Sequence, residues 1–359
     1  MMTDRVAPLF ELVRGNVVES MHYGAVAVAD ARGNLLYSLG DPHTVAFLRS
    51  SAKPFQALPF FEHGAHEALA LSAEEQALLC SSHQGSDEHV LVAQRIQAKA
   101  GLRESDLQCG VHMPEDAAAY RSLMGRGLAP TPNRNNCSGK HSGMLALAKL
   151  RGLPLDNYLE IRHPIQQDIL TTISEMSGCA RDSIEIGIDG CSAPTFAMPL
   201  YNAALAMARL CDPRELRERR QQAARSITSA MISQAEMISG PQEFDCGLMR
   251  AVDGKMVSKR GAEGYHAVGI MAGVLSKGSP GVGVALKVSD GDMPFRTIEG
   301  HARNRVRPAV MLEILRQIGA LGPAEIERLA VFGPELALRN HRGSITGRSR
   351  PVFDLVKES

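Results

Sequence analysis

The chain has 359 residues, sets 39 Lys plus Arg against 39 Asp plus Glu, and is 44% hydrophobic, a globular composition long enough to bury a large core. A formal charge of zero leaves no positive field to draw in a polyphosphate backbone, so nucleic acid is not an expected partner. The opening MMTDRVAPLFELVRG lacks the apolar core of an export signal, and nowhere do about 18 uncharged apolar residues follow one another; neither export nor a membrane partner is expected.

Seven cysteines, an odd number at wide spacing, do not make a disulfide framework and fit a reducing cytoplasm. No C-x-x-C pair occurs to mark a zinc knuckle. Only nine lysines occur, so a lysine beside a serine stands out.

In chain order, residues 16–40 read as a hairpin. Residues 17–21, 24–29 and 34–38 carry apolar and β-branched strand residues, with Asp30-Ala31-Arg32-Gly33-Asn34 as the turn. From Ser51 to about Gly178 the text is mostly helical. Ser72 with Glu75 makes a capping box, Asp87 is the expected cap of a helix through Ala100, and Gly152 is the expected stop of a helix from His141. A short strand over 184–188 ends in Asp189-Gly190-Cys191, and residues 200–230 return to helical spacing.

In the last third, residues 249–252 and 255–259 flank Asp253-Gly254 as a second expected hairpin; 265–271 and 281–288 read as strands and 302–318 as a helix. Strands at both ends with helices between them predict an α+β fold. One antiparallel sheet is built from the N- and C-terminal segments, residues 1–60 plus 240–359, with a mainly helical part over 61–239.

Three clusters carry the chemistry. Ser50 and Lys53 are three apart at the start of a helix, so they share a face where a neutral lysine can take the serine proton. Cys80-Ser81-Ser82-His83-Gln84-Gly85 gathers hydroxyls and an imidazole after a capped helix, and Ser258-Lys259-Arg260-Gly261 puts a cation at a strand end. The order serine-lysine, serine, lysine-x-glycine resembles that of the class A β-lactamases and penicillin-binding proteins, S-x-x-K, S-D-N and K-T-G. The chain departs from it with Ser82-His83-Gln84 and Lys259-Arg260-Gly261.

At finer detail five segments look like the thermolabile Rhizobium-type L-asparaginases: Arg49-Ser50-Ser51-Ala52-Lys53-Pro54-Phe55-Gln56, Cys80-Ser81-Ser82-His83, Asn136-Cys137-Ser138-Gly139-Lys140-His141-Ser142-Gly143-Met144, Ile188-Asp189-Gly190-Cys191-Ser192 and Lys259-Arg260-Gly261-Ala262-Glu263-Gly264. The resemblance runs almost end to end and implies the fold shared by glutaminases and serine β-lactamases. It implies hydrolysis of L-asparagine to L-aspartate and ammonia, with Ser50 as nucleophile, Lys53 as its base, and Ser82 with Lys259 as a second proton-transfer pair. It also implies a homodimer and a zinc site at Cys137, Lys140 and Cys191 that assists binding and is not essential to the chemistry.

Because a lysine must lose its proton to bind zinc, chemistry alone offers His141 as the third ligand instead. Arg49 and Asp189 are candidates for the substrate's α-carboxylate and α-ammonium, and His83 is a further substrate-binding candidate. Two rival readings share these residues. One is a glutaminase or broader amidase, since one methylene is worth only about 1–3 kcal/mol of discrimination. The other is a catalytically silent amino-acid-binding or zinc-binding protein, in which Ser50 would not matter.

Overall fold

The computed structural model describes residues 5–293 and 305–358, together with the backbone of the two-residue strands Phe295–Arg296 and Ala302–Arg303. Its backbone forms two compact units. One comprises residues 1–48, 198–212 and 247–359, and the other 49–197 and 213–246. The class is α+β, and the first unit's sheet is made from the N- and C-terminal segments. Among the described residues no helix is long and apolar enough to cross a membrane.

The sheet-containing unit is organised by one long strand, Val17–Asp30. Its first half pairs antiparallel with Ala7–Arg14 and its second half with Leu35–Leu39, while its other edge pairs residues 24–30 with Val282–Val288. Tyr265–Ile270 and then Met256–Arg260 extend the sheet beyond Val282–Val288. Gly24 sits where the partners change, and a Cβ there would meet the Lys287 carbonyl at 2.1 Å, so only glycine allows the pairing to cross. Tyr265–Ile270 is buried at every position and Val282–Val288 at all but one, the pattern of strands covered on both faces. Helices Leu200–Cys211 and Val306–Gln317 pack on these strands, and the first comes so near that a Cβ on Gly283 would overlap the Ala204 carbonyl.

The helical unit centres on Lys53–Glu62, against which Ser138–Leu150, Pro164–Ser177 and Glu218–Ser233 pack. Nine of its ten residues are buried, which makes it the core of the unit rather than an amphipathic surface helix. A buried guanidinium ties three of these helices together. Arg220 donates to both oxygens of Glu62, at 2.6 and 3.0 Å, and to Glu175 at 2.6 Å. A fork that binds one carboxylate with two donors fixes orientation as well as distance.

Several local expectations hold and others are corrected. The Ser72–Glu75 capping box is present, with the Ser72 N–H donating to Glu75 at 2.7 Å. The cap of the Asp87–Ala100 helix is Ser86, not Asp87, since its hydroxyl is the one placed to accept from the His89 N–H. The His141 helix already begins at Ser138, and the 200–230 stretch is two helices, Leu200–Cys211 and Glu218–Ser233, separated at Pro213, which cannot donate within a helix.

The expected hairpin around Asp253-Gly254 is not formed. Residues 249–251 finish the helix Phe244–Ala251, and Asp253 and Gly254, at φ +51° and +83°, turn the chain from that helix toward Met256–Arg260. The turn chemistry was placed correctly, but the apolar residues before it follow a helical period. The helix expected over 302–318 begins at Val306, because Ala302–Arg303 pairs with Phe295–Arg296; residue 304 lies outside the described residues.

Candidate active site

Arg49–Ala52 forms one tight 3-10 turn that runs directly into the helix Lys53–Glu62, with Pro54 in its first turn. Arg49 sits at φ +50°, a left-handed conformation that costs a non-glycine residue about 1 kcal/mol or more and that here immediately precedes Ser50. Ser50 is half-buried, and its hydroxyl has no hydrogen-bond partner among the described residues. Lys53 is completely buried at the first helical position.

Three oxygens surround the Lys53 amine. Nζ lies 2.5 Å from the Ser81 carbonyl, 3.0 Å from the Asn136 carbonyl and 2.9 Å from Ser82 Oγ. A carbonyl can only accept, so a neutral amine would spend its two N–H groups on Ser81 and Asn136. Its lone pair would then face the Ser82 hydroxyl or the Cys137 sulfur, with which the amine also hydrogen-bonds. Burial holds the Lys53 pKa below the ordinary lysine value, and the nearby Cys137 sulfur opposes that shift.

Ser81 and Ser82 are themselves fixed to the segment before Gly240. The Ser82 N–H donates to the Ile238 carbonyl at 2.8 Å, and the Ser81 hydroxyl donates to the same oxygen. His83, fully buried, has both ring nitrogens engaged. It accepts from the Gly85 N–H at 3.0 Å, so its other nitrogen donates to Ser138 Oγ at 2.9 Å. Burial, and then the stacked His89 ring, keep it neutral. His83 therefore holds the Ser82 segment against the start of the Ser138–Leu150 helix.

That helix start carries Cys137 and Lys140, one turn apart on a shared face. Gly139 lets it approach: a Cβ there would meet the Leu78 carbonyl at 2.2 Å. Cys191 comes from the loop between strands Glu185–Ile188 and Pro194–Pro199, and its Sγ lies 3.1 Å from Lys140 Nζ. The two cysteines hydrogen-bond through sulfur, which drives the Cys137 thiol toward the thiolate, with Lys53 and Lys140 adding to the effect; Cys191 is held up as the other partner. Burial disfavours the Lys140 charge, but the Cys191 and Cys137 sulfurs outweigh it and keep the amine cationic.

The donor set of two thiols and one amine, buried together, fits a zinc ion. Among the described residues no three His, Cys, Asp and Glu side chains gather as a metal-binding set.

The same loop brings Asp189 to Arg49. Nε and Nη2 of Arg49 both lie 2.9 Å from Oδ1, which also accepts the Gly190 N–H at 2.8 Å. Oδ2 takes no hydrogen bond among the described residues. Burial pushes the Asp189 carboxyl up, but Lys140 and Arg49 prevail and hold it below the usual carboxylate range. Lys259 stands in the sheet-containing unit, fully buried near the end of Met256–Arg260, where its amine donates to the Arg260 carbonyl at 3.0 Å.

The structure brings Lys140 to Cys191, a grouping the resemblance implies, and also Lys53 to Ser82 and Arg49 to Asp189, which the sequence had not paired; among the described residues no hydrogen bond joins Ser50 to Lys53, the pair read from the sequence. Sequence reasoning missed the Ser81 and Asn136 carbonyls that surround Lys53, because a backbone acceptor leaves no trace in residue identity. It also missed His112, whose Nε2 accepts the Asn136 N–H at 2.9 Å, and Tyr158, 2.6 Å from His141 Nδ1.

Comparison with known proteins gives the class and then the family. The class is that of the amidohydrolases, because a sequence profile of L-asparaginase II matches residues 10–351. The chain belongs to the L-asparaginase II family. No curated protein matches the sequence. The solved structure of Mglu in its tris and glutamate form is 13% identical with a TM-score of 0.43, over 83% of this chain and 60% of that one. A Bacillus glutaminase solved in the presence of 4.3 M NaCl is 11% identical with a TM-score of 0.35, over 82% and 90% of the two chains. This chain spans 60% of the length of the Mglu chain it matches.

Proposed function

We propose that this chain hydrolyses L-asparagine to L-aspartate and ammonia through a β-aspartyl ester on Ser50. The observation that carries the reading is the buried Lys53 amine, held by two carbonyls that can only accept and one hydroxyl that can donate. Burial lowers the pKa of this amine and so favours the free base, the form that accepts a proton. Lys53 removes the Ser50 proton as the hydroxyl oxygen attacks the side-chain amide carbon. Ser82, in contact with the same amine, hands a proton to the departing ammonia. Water then attacks the ester, giving its proton back along this route and releasing Ser50.

Asp189 Oδ2 receives the α-ammonium and Arg49 the α-carboxylate. Zinc, held by Cys137, Cys191 and Lys140, would supply positive charge that assists substrate binding. The homodimer implied by the family resemblance belongs to this proposal, and light scattering of the purified chain tests it.

Ammonia release from L-asparagine and L-glutamine, measured beside Ser50→Ala, tests the function. Release from asparagine that disappears in Ser50→Ala is the expected result. Faster release from glutamine moves the assignment to a glutaminase, and release from neither amide by the folded, zinc-supplemented chain overturns it.

A further inference from the structure

One of the carbonyls around the Lys53 amine comes from Asn136, a residue outside any helix or strand: residues 135–137 join the tight turn Pro132–Arg134 to the helix Ser138–Leu150. No ladder of hydrogen bonds fixes where a carbonyl points in such a stretch, so its direction is set by other partners. The peptide groups on the two sides of Asn136 have them.

The group between Asn136 and Cys137 carries the carbonyl that meets Lys53 at 3.0 Å; because this peptide is planar and trans, the Cys137 N–H points the opposite way. That N–H donates to Asn135 Oδ1 at 2.9 Å. Asn135 is buried, and its amide nitrogen donates to the Cys109 and Gly110 carbonyls at 2.9 and 3.2 Å. Both carbonyls can only accept, which fixes the nitrogen on their side and the oxygen on the side of Cys137. The group between Asn135 and Asn136 is held at both ends as well. Its carbonyl accepts the Ser138 N–H at 2.9 Å, and its N–H donates to His112 Nε2 at 2.9 Å. The other ring nitrogen of His112, Nδ1, lies 2.8 Å from the Met113 carbonyl, so it carries the hydrogen and leaves Nε2 bare to accept.

We infer that His112 and Asn135 are positioning residues for the base: they fix the two peptide groups flanking Asn136 and so aim its carbonyl at Lys53. Both act through Asn136. With that carbonyl in place one N–H of the amine is held and the rest of the amine keeps its direction; without it the amine turns on its stem, and a misplacement of about 1 Å is worth up to about 100-fold in rate. The inference rests on Lys53 as general base for its effect on rate, but not for the geometry of the hold.

Two measurements keep these apart. In the nitrogen-15-labelled chain a scalar coupling between the Asn136 amide nitrogen and His112 Nε2, transmitted across the hydrogen bond, is expected; a His112 ring that carries its hydrogen on Nε2 cannot accept and overturns the inference. The second measurement is the steady-state kinetics of ammonia release at saturating zinc. His112 is half-buried, and His112→Leu should lower kcat about 10- to 100-fold with KM for L-asparagine unchanged. His112→Gln, whose side-chain oxygen reaches the place of Nε2, should restore most of that loss. Asn135→Ala should act in the same direction as His112→Leu, and the two His112 variants decide if that buried change prevents folding.

Action through Lys53 is read in the Lys53→Met background, where the amine is gone and His112→Leu should cost no further activity. An equal fall in that background, a fall that His112→Gln does not rescue, or a rise in KM at constant kcat overturns the inference. A wild-type chain that releases ammonia from neither amide refutes the hydrolase reading instead, and the nitrogen coupling still decides the hold on Asn136.

Discussion

The Lys53 amine lies 2.9 Å from the Ser82 hydroxyl, and its other neighbours are the carbonyls of Ser81 and Asn136 and the Cys137 sulfur. The carbonyls can only accept hydrogen bonds, so the groups that can exchange a proton with this amine are the Ser82 hydroxyl and the Cys137 sulfur. Lys53→Met removes the base while filling similar volume. General-base catalysis is worth about 10²–10⁴-fold, and kcat for ammonia release should fall by that factor. Two buried carbonyls also lose their donor, at about 1–3 kcal/mol each, so the melting temperature should fall with it. Ser82→Ala leaves the carbonyls paired, and should lower kcat with a smaller change in melting temperature. Equal kcat in Lys53→Met and wild type would remove Lys53 from the mechanism.

Arg49 spends two donors on a single oxygen of Asp189, and the other oxygen is left for a ligand. Asp189→Asn keeps the shape but replaces one carboxylate oxygen with an amide nitrogen, which repels an ammonium group. Hydrogen bonds to charged groups are worth about 1.5–3 kcal/mol, so KM for L-asparagine should rise about 10- to 150-fold, with kcat changing much less. A fall in kcat at constant KM would instead show that the pair's task is to hold Arg49 at its left-handed φ beside Ser50.

What could be read from the sequence follows from how local its cause is. The capping box at Ser72 and Glu75, the strands expected over 265–271 and 281–288, which form as Tyr265–Ile270 and Val282–Val288, and the α+β class rest on neighbouring residues and their period. The hairpin at Asp253-Gly254 failed because a turn signal says that the chain reverses, not what it reverses from, and Phe244–Ala251 is a helix. The strand Ala7–Arg14 was missed although its residues are apolar. Its pairing partners are the adjacent Val17–Asp30 and the distant Ile345–Pro351, and the second of these has no local mark.

The site divides along the same line. Ser50 and Lys53 stand out by residue type and spacing, whereas Cys137, Lys140 and Cys191 become candidates through the family resemblance. Tyr158 lies 17 residues from His141 and carries no motif, so only the fold shows that the two touch.

Gly139 is where fold and site meet. A methyl group placed there would come within 2.2 Å of the Leu78 carbonyl and 2.8 Å of the Leu78 side chain. Gly139→Ala must push the start of the Ser138–Leu150 helix away from the Ala73–Leu78 helix, and with it Cys137, Lys140 and the Asn136 carbonyl. Overpacking of this kind costs about 1–3 kcal/mol. Denaturant unfolding should show that loss, and zinc affinity should fall in the same variant. Gly125→Ala serves as the control, because nothing lies within 4 Å of a Cβ at that position. Full zinc affinity in Gly139→Ala would mean that the helix start can move without disturbing the donor set.

His89 provides a test of pH dependence away from the reacting groups. Its Nδ1 lies 2.6 Å from Ser86 Oγ and its Nε2 3.4 Å from the Glu236 carbonyl, while its ring stacks on His83 at 4.9 Å. Burial lowers its pKa from 6.5 to about 4, against the opposing pull of Asp116. The unfolded chain therefore binds a proton here that the folded chain refuses over pH 4 to 6.5. Stability from this group is complete above about pH 6.5 and is lost as pH falls through the window, by about 3 kcal/mol in all. His83, also buried and held neutral, adds loss of the same sign. His89→Gln, which cannot take up a proton, should flatten the unfolding free energy between pH 6.5 and 4 by about one proton's slope and leave the His83 contribution in place. Identical slopes in wild type and His89→Gln would show that the His89 ring is protonated in the folded chain as readily as in the unfolded one.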